Sequence, residues 1–338
     1  MVVKLLVSYI KFFRMKKFLL NIGLFVFIIG LCAFLLDMMI TRGLHKRTDY
    51  VQEVWNDVLD STVTPDVIVL GNCVAAHDHN PRILDSVLGV NSYVFAMSNL
   101  TFPYHNYMWQ MLKKYRSKYP SLIILSLDYS DLSYREAKNN MENEQFLSLM
   151  FDKDSRDFLY KYGGYSWMDV HVPCYRYFGH QKRIKYGLLN FIGLEKYAGS
   201  PEHYKGYIGL DVPYNPHREW FNGSFSQVIE PEIVEMLDAF LKDCKERNIE
   251  VLVALPPIAY ELSDKVNNED EIYAIYDSLA HRYGYDCVSY CAPHWMSMDT
   301  NHFESPNHLN KEMSNVYTLD LAKYIASRHI LQTQGHKN

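Results

Sequence analysis

The chain has 338 residues and predicts an α/β protein, a parallel sheet covered by helices on both faces. Three observations lead there. Apolar runs rich in Val, Ile and Leu recur without polar interruption, as strands buried on both faces do. Stretches of helical period separate these runs. The composition, 48% hydrophobic and 22% charged, is that of a globular chain, long enough for one large α/β domain or two small ones.

The first element stands outside that pattern. "FLLNIGLFVFIIGLCAFLL", residues 18–36, is almost unbroken apolar sequence and close to the roughly 20 residues a helix needs to cross a bilayer. Lys4, Lys11, Arg14, Lys16 and Lys17 precede it, which by the positive-inside rule puts the N-terminus in the cytoplasm. Arg42, Lys46 and Arg47 beyond the span weaken the asymmetry. No small-x-small cleavage site follows, since Asp37, Met38, Met39 and Ile40 come next. An uncleaved anchor is therefore expected rather than a signal peptide. The division is a basic tail over 1–17, a transmembrane anchor over 18–40, a stalk helix over 44–62 and an α/β domain over 63–330. This layout is expected of a single-pass membrane protein with its C-terminal domain across the membrane from the cytoplasm.

Within the domain, DVIVLG (66–71) reads as a strand and NPRILDSVL (80–88) as a helix. SYVFAMS (92–98) is a strand, FPYHNYMWQMLKKYRSKY (102–119) a helix stopped by Pro120, and SLIILSLD (121–128) a strand. From about 132 to 225 the pattern breaks into a Tyr- and Trp-rich helical and loop insertion. It resumes with a helix over 231–248, the strand EVLVALPP (250–257) and a helix over 268–284, acidic at its start and ended by Gly284. YDCVSY is a short strand, and after the loop HWMSMDTNHFESPNHLN comes a last helix over 311–328.

Several function classes fall away. A formal net charge of −5 offers no basic balance for nucleic acid. There is no Gly-rich phosphate loop and no pair of CxxC motifs for zinc. His77-x-His79 with Asp78 lacks further ligands, so no metal and no cofactor is expected. Of six cysteines, Cys287 and Cys291 could pair if the backbone turns between them. The insertion's Tyr160, Tyr162, Tyr165, Trp167, Tyr175 and Tyr177 could stack on sugar rings or pack an irregular segment.

In open parallel sheets ligands sit beyond the carboxyl ends of the strands. That rule gathers Cys73, the Ser98–Asn99 turn, the Asp128–Asp131 turn and the 294–310 loop at one edge. Gly71-Asn72-Cys73 after a strand, and Phe303-Glu304-Ser305-Pro306-Asn307-His308-Leu309-Asn310 before a helix, resemble the first and last blocks of the SGNH (GDSL-like) hydrolase superfamily. More narrowly they resemble its membrane-anchored bacterial branch, found with envelope polysaccharide or teichoic-acid acylation. "YVFAMSNLTFPYHNY" and "LIILSLDYSDL" look like the middle blocks. The resemblance covers about 66–131 and 231–328 and implies a flavodoxin-like three-layer sandwich.

What the resemblance implies is an acyl esterase or O-acyl(acetyl)transferase acting on an extracytoplasmic glycan, beside a membrane-bound acyltransferase. His308 would be the base. Asn72, Asn99 and Asp128 would stand at the oxyanion and binding positions, where the family's later glycine and asparagine have no clear counterpart. Two residues depart from the pattern: Cys73 replaces the nucleophilic serine, and Ser305 the aspartate three residues before the histidine. Glu304 or Asp299 could orient a histidine instead, and Asp299-x-x-His302 forms a second candidate dyad. A thiol is acidic enough to form a thiolate–imidazolium pair with less need of a carboxylate. The double replacement equally suits an inactive domain that binds glycan or scaffolds an acylation or export complex. Taken singly, Cys73 also reads as a small core residue and His308 as a helix-start residue.

Overall fold

The computed structural model describes residues 2–46, 50–134, 144–194, 203–215 and 223–331. The chain divides into two compact units, 1–46 with 146–196 and 47–145 with 197–338.

α1 (Val2–Leu44) carries the apolar span in one continuous helix. It is the one helix among the described residues long and apolar enough to cross a membrane by length and composition. α2 (Tyr50–Leu59) follows. β1 (Val67–Gly71), α3 (Cys73–Asp78), α4 (Pro81–Leu88), β2 (Ser92–Ala96), α5 (Phe102–Tyr115) and β3 (Leu122–Ser126) open the α/β alternation. The expected insertion contains α6 (Lys153–Tyr162), α7 (Trp167–His171) and α8 (Gln181–Phe191). A small hairpin, β4 (His203–Tyr204) and β5 (Tyr207–Ile208), comes after them. α9 (Pro231–Glu246), β6 (Glu250–Leu255), α10 (Tyr260–Ser263), α11 (Glu269–Arg282) and β7 (Asp286–Ser289) complete the sheet. A second hairpin, β8 (Phe303–Ser305) and β9 (His308–Leu309), leads into α12 (Lys311–Ser327). Parts of the insertion, 135–143, 195–202 and 216–222, lie outside the described residues.

The larger unit is built on a five-stranded sheet in the order β2-β1-β3-β6-β7, every neighbouring pair parallel. β1 to β3 are buried at every position, as the unbroken apolar runs require. One face, through Val67, Val69, Val94, Ile124 and Leu252, packs on Leu84 of α4 and on Tyr317, Leu321 and Ile325 of α12. α2, α5, α9 and α11 pack against one another as a second layer of helices. α2 is part of this unit: Val54, Trp55 and Val58 are buried, and the Trp55 ring lies 5.6 Å from that of Tyr107.

Chain reversal is set by short-range chemistry. Asn80 caps α4 through its side chain, Pro81 takes the first turn, and Gly89 ends the helix in the left-handed region at φ 67°. Gly71, at the end of β1, has a different role. A Cβ there would stand 2.6 Å from the Ala75 Cβ and 2.7 Å from the Ser126 carbonyl. Only a bare backbone lets α3 turn back this tightly over β1 and β3. Gly71→Ala is expected to cost about 1–3 kcal/mol by overpacking, read as a lowered thermal midpoint with the far-ultraviolet dichroism unchanged.

The smaller unit explains the break in the α/β pattern. Its helix α8 packs on the end of α1 rather than on a sheet. Gly43 of α1 faces Gly187 of α8 so closely that a Cβ on Gly187 would lie 2.6 Å from the Ile40 carbonyl, a small-residue helix crossing. Asp37, at the foot of the apolar span, meets Arg176 Nη2 at 2.6 Å and accepts from the Cys174 backbone N–H at 2.7 Å. Thr41 Oγ1 lies 2.7 Å from the Tyr177 hydroxyl. Tyr177 and Tyr165 are buried while Tyr160, Trp167 and Tyr175 are exposed, so these aromatics do not form one platform. All six cysteines are free. Cys291 is buried, with its thiol 3.2 Å from the Pro256 carbonyl, and it does not pair with Cys287.

Candidate active site

Parallel strands present their carboxyl ends along one edge, and the loops that follow them carry the polar residues. β1 ends at Gly71, and Asn72 caps α3 by accepting from the Val74 N–H at 2.9 Å. Cys73, partly buried, opens α3. β2 leads to Asn99, held in the left-handed region at φ 59°. β3 leads to Asp128, whose carboxylate accepts from the Asn72 amide at 2.8 Å and from the Ser130 N–H and hydroxyl at 2.6 Å. Asn72 and Asp128 thus lock β1 to β3 at the point where the strand order reverses.

The second hairpin is tied to the same edge. The Leu309 N–H donates to the Asp78 carboxyl at 3.1 Å, and the Ala259 N–H, just past β6, donates to the Pro306 carbonyl at 2.7 Å. The His308 ring meets the His77 ring edge-on, 5.0 Å between centroids. His77 lies one helical turn beyond Cys73 on α3, so the two candidate residues flank one face of that helix. The Ser305 hydroxyl and His308 Nδ1 are 2.8 Å apart. Ser305 therefore orients the imidazole from the position where the resemblance expects a carboxylate. Glu304 is only half-buried and adds favourable charge near His77. Asp299 is exposed and spent on capping Asn301, with Oδ2 4.0 Å from His302. His302 Nδ1 lies 2.9 Å from the Met296 carbonyl, so the alternative dyad is loose.

The electrostatics run against an ion pair. Burial pushes the Cys73 thiol up to about 11, against a hydrogen bond from the Asn99 backbone; the charges of Asp128 and Asp78 add to the rise. Burial pulls His308 down to about 3, and His77 pulls it the same way. Among the described residues no hydrogen bond or ion pair joins Cys73 to His308. The resting site holds a neutral thiol and a neutral imidazole, not the thiolate–imidazolium pair the residue types allow. α3 has only six residues, and its N-terminus does not offset this burial.

The sign of one pH effect follows. The folded His308 stays neutral where the unfolded histidine, at its ordinary value of 6.5, takes up a proton. Its contribution to stability is present above about pH 6.5 and is lost as pH falls toward 3. Relative to His308→Gln, the wild type should lose about 1.4 kcal/mol per pH unit across that window, measurable by urea unfolding at stepped pH.

Two polar residues around the site, His105 and Tyr276, were not singled out in the sequence, and Asp131 was placed there only as the end of a turn. His105 Nε2 lies 2.8 Å from Asp131 Oδ1, both buried, and burial raises Asp131 to about 6 against the pull of His105. The Tyr276 hydroxyl donates to the Asp128 carbonyl at 2.9 Å. The signal available was a histidine on the apolar side of a helix followed by an aspartate in the next turn. No group of three or more potential metal ligands occurs among the described residues.

Fold and site together define a five-stranded parallel α/β domain with a Cys, His and Ser cluster at the carboxyl edge of its sheet. No known family model matches the chain, and no curated protein is significantly similar to it.

Proposed function

We propose that this is a membrane-anchored SGNH-like domain of the bacterial cell envelope whose ester-cleaving site is silenced. In this reading it binds an acylated extracytoplasmic glycan, or holds it beside a membrane-bound acyltransferase, and does not turn it over. The observation that carries this is the carboxylate of Asp128. It is bonded to Asn72, the residue before Cys73, and its charge bears on the sulfur. A site for acyl transfer must stabilise negative charge on the nucleophile and then on the carbonyl oxygen. Here a fixed anion replaces a neutral donor, the Asn72 amide is already committed, and the base is held by a hydroxyl. The long apolar helix and its basic N-terminal flank support the membrane placement with the domain outside.

The test uses the full chain in detergent with an aryl acetate and an O-acetylated oligosaccharide. The expected result is binding of the acetylated sugar, weakened by Cys73→Trp, with no turnover and no change in intact mass. An acetyl adduct on Cys73, or release of acetate, would overturn it.

A second reading, the active enzyme, is favoured by one geometry: the Asn99 backbone N–H is aimed at the Cys73 sulfur and His308 is oriented by Ser305. In that case Cys73 attacks the ester carbonyl while His308 takes the thiol proton. The alcohol leaves with that proton, and an acyl thioester remains for water or a glycan hydroxyl to resolve. The N–H groups of Cys73 and Asn99 would hold the oxyanion.

A further inference from the structure

The smaller unit carries a groove with no role in the site at the sheet edge. It has a volume of about 400 Å³ and runs between the last apolar turns of α1, at Leu36 and Ile40, and the segment lined by Val172, Pro173, Phe178 and Ile184. Its walls are almost wholly apolar. Phe178, on its rim, is 88% exposed, an unusual state for a phenylalanine in water.

Three facts fix the depth of this groove along α1. Its α1 wall is continuous with the bare apolar span, since residues 18–31 are exposed throughout. Directly beside it, Asp37 is neutralised by Arg176 and the Cys174 N–H. A charge at that point on a spanning helix is costly unless paired, so the segment around Arg176 sits where the span leaves the hydrocarbon. α8 begins at the groove with Lys182 and Lys185 exposed and has no acidic residue. Two exposed cations beside an apolar slot match the order of a bilayer surface, with phosphate-bearing headgroups above acyl chains.

We infer that the groove seats an acyl chain of a bilayer lipid, so that the α6–α8 unit bears on the membrane surface around the foot of α1. The inference rests on the reading of α1 as a membrane anchor. Lys182 and Lys185 meet the headgroup, and Phe178 lies along the chain.

The experiment is tryptophan quenching by brominated lipid in the full chain. The protein is reconstituted into vesicles of phosphatidylcholine and phosphatidylglycerol, with or without bromine on the acyl chains. Two variants are compared with the wild type, Phe178→Trp at the groove and Phe25→Trp in the apolar span. Both side chains are exposed in this structure, so both exchanges leave packing intact. The expected result is that the fluorescence added by each variant falls by half or more in brominated vesicles. Quenching of Phe25→Trp without quenching of Phe178→Trp would overturn the groove's role and leave the anchor standing. Failure of both would overturn the anchor and the groove together.

Discussion

The pair Cys73→Ser with Ser305→Asp is expected to raise hydrolysis of p-nitrophenyl acetate at least about 100-fold over the wild type, within the range general acid–base catalysis supplies. The wild-type site has a neutral thiol at about 11 and an imidazole at about 3, so neither group is poised to exchange a proton at neutral pH. A carboxylate at position 305 would act where the serine hydroxyl now stands, 2.8 Å from Nδ1. An opposite charge at that distance favours the imidazolium and brings His308 back toward the neutral range. A hydroxyl at position 73 then has a competent base. Adding Asp128→Asn removes the anion beside the nucleophile and should raise the rate further. A folded double variant that stays at the wild-type rate would show that the scaffold is not that of an ester hydrolase.

The second large effect concerns the smaller unit. Arg176→Met should loosen the segment 146–194 from α1 by about 3 kcal/mol, because it strands the largely covered Asp37 carboxylate. The Arg176 side chain is 7% exposed and that of Asp37 14%, so water can replace the lost partner only in part. Arg176 also donates to the Leu147 carbonyl and to Thr41. Limited proteolysis of the full chain in detergent should cut this segment many times faster in the variant. Asp37→Asn combined with Arg176→Met removes the charge and should restore most of the protection. Equal sensitivity of the single and double variants would mean that the charge pair is not what holds the segment.

What could be read from the chain depended on how local its cause was. Val67–Gly71, Leu122–Ser126 and Glu250–Leu255 were legible because a strand buried on both faces must be apolar at every position. The helix Lys311–Ser327 was expected over 311–328, and in the fold Asn310 caps it by accepting from the Met313 N–H. The helix Gln181–Phe191 was not legible, because its partner is α1, far away in sequence, and Gly187 gives no sign of Gly43 until the two meet. The stretch over 44–62 reads as a stalk from its amphipathic period, but only the fold supplies Tyr107 for Trp55 to pack on.

The site divides in the same way. Its position followed from strand polarity alone, and Cys73, Asn99, Asp128 and the loop around His308 do share one edge. Its charge state did not follow, since a cysteine beside a histidine permits an ion pair. What opposes one here is non-local: the Asn72 amide turned to Asp128, and the burial of Cys73 and His308. His77 as the ring against His308, and His105 paired to Asp131, are likewise products of tertiary contact.

Cys73 rests as a protonated thiol uncoupled from His308. The most direct measurement is the rate of iodoacetamide alkylation of Cys73 against pH, followed by peptide mass spectrometry on the full chain in detergent, with His308→Ala alongside. Alkylation is expected to be slow at neutral pH, with a rate still climbing toward an apparent pKa of about 11 and the same profile in the variant. An apparent pKa below the ordinary thiol value of about 8.5, lost in His308→Ala, would contradict it and establish a thiolate–imidazolium pair.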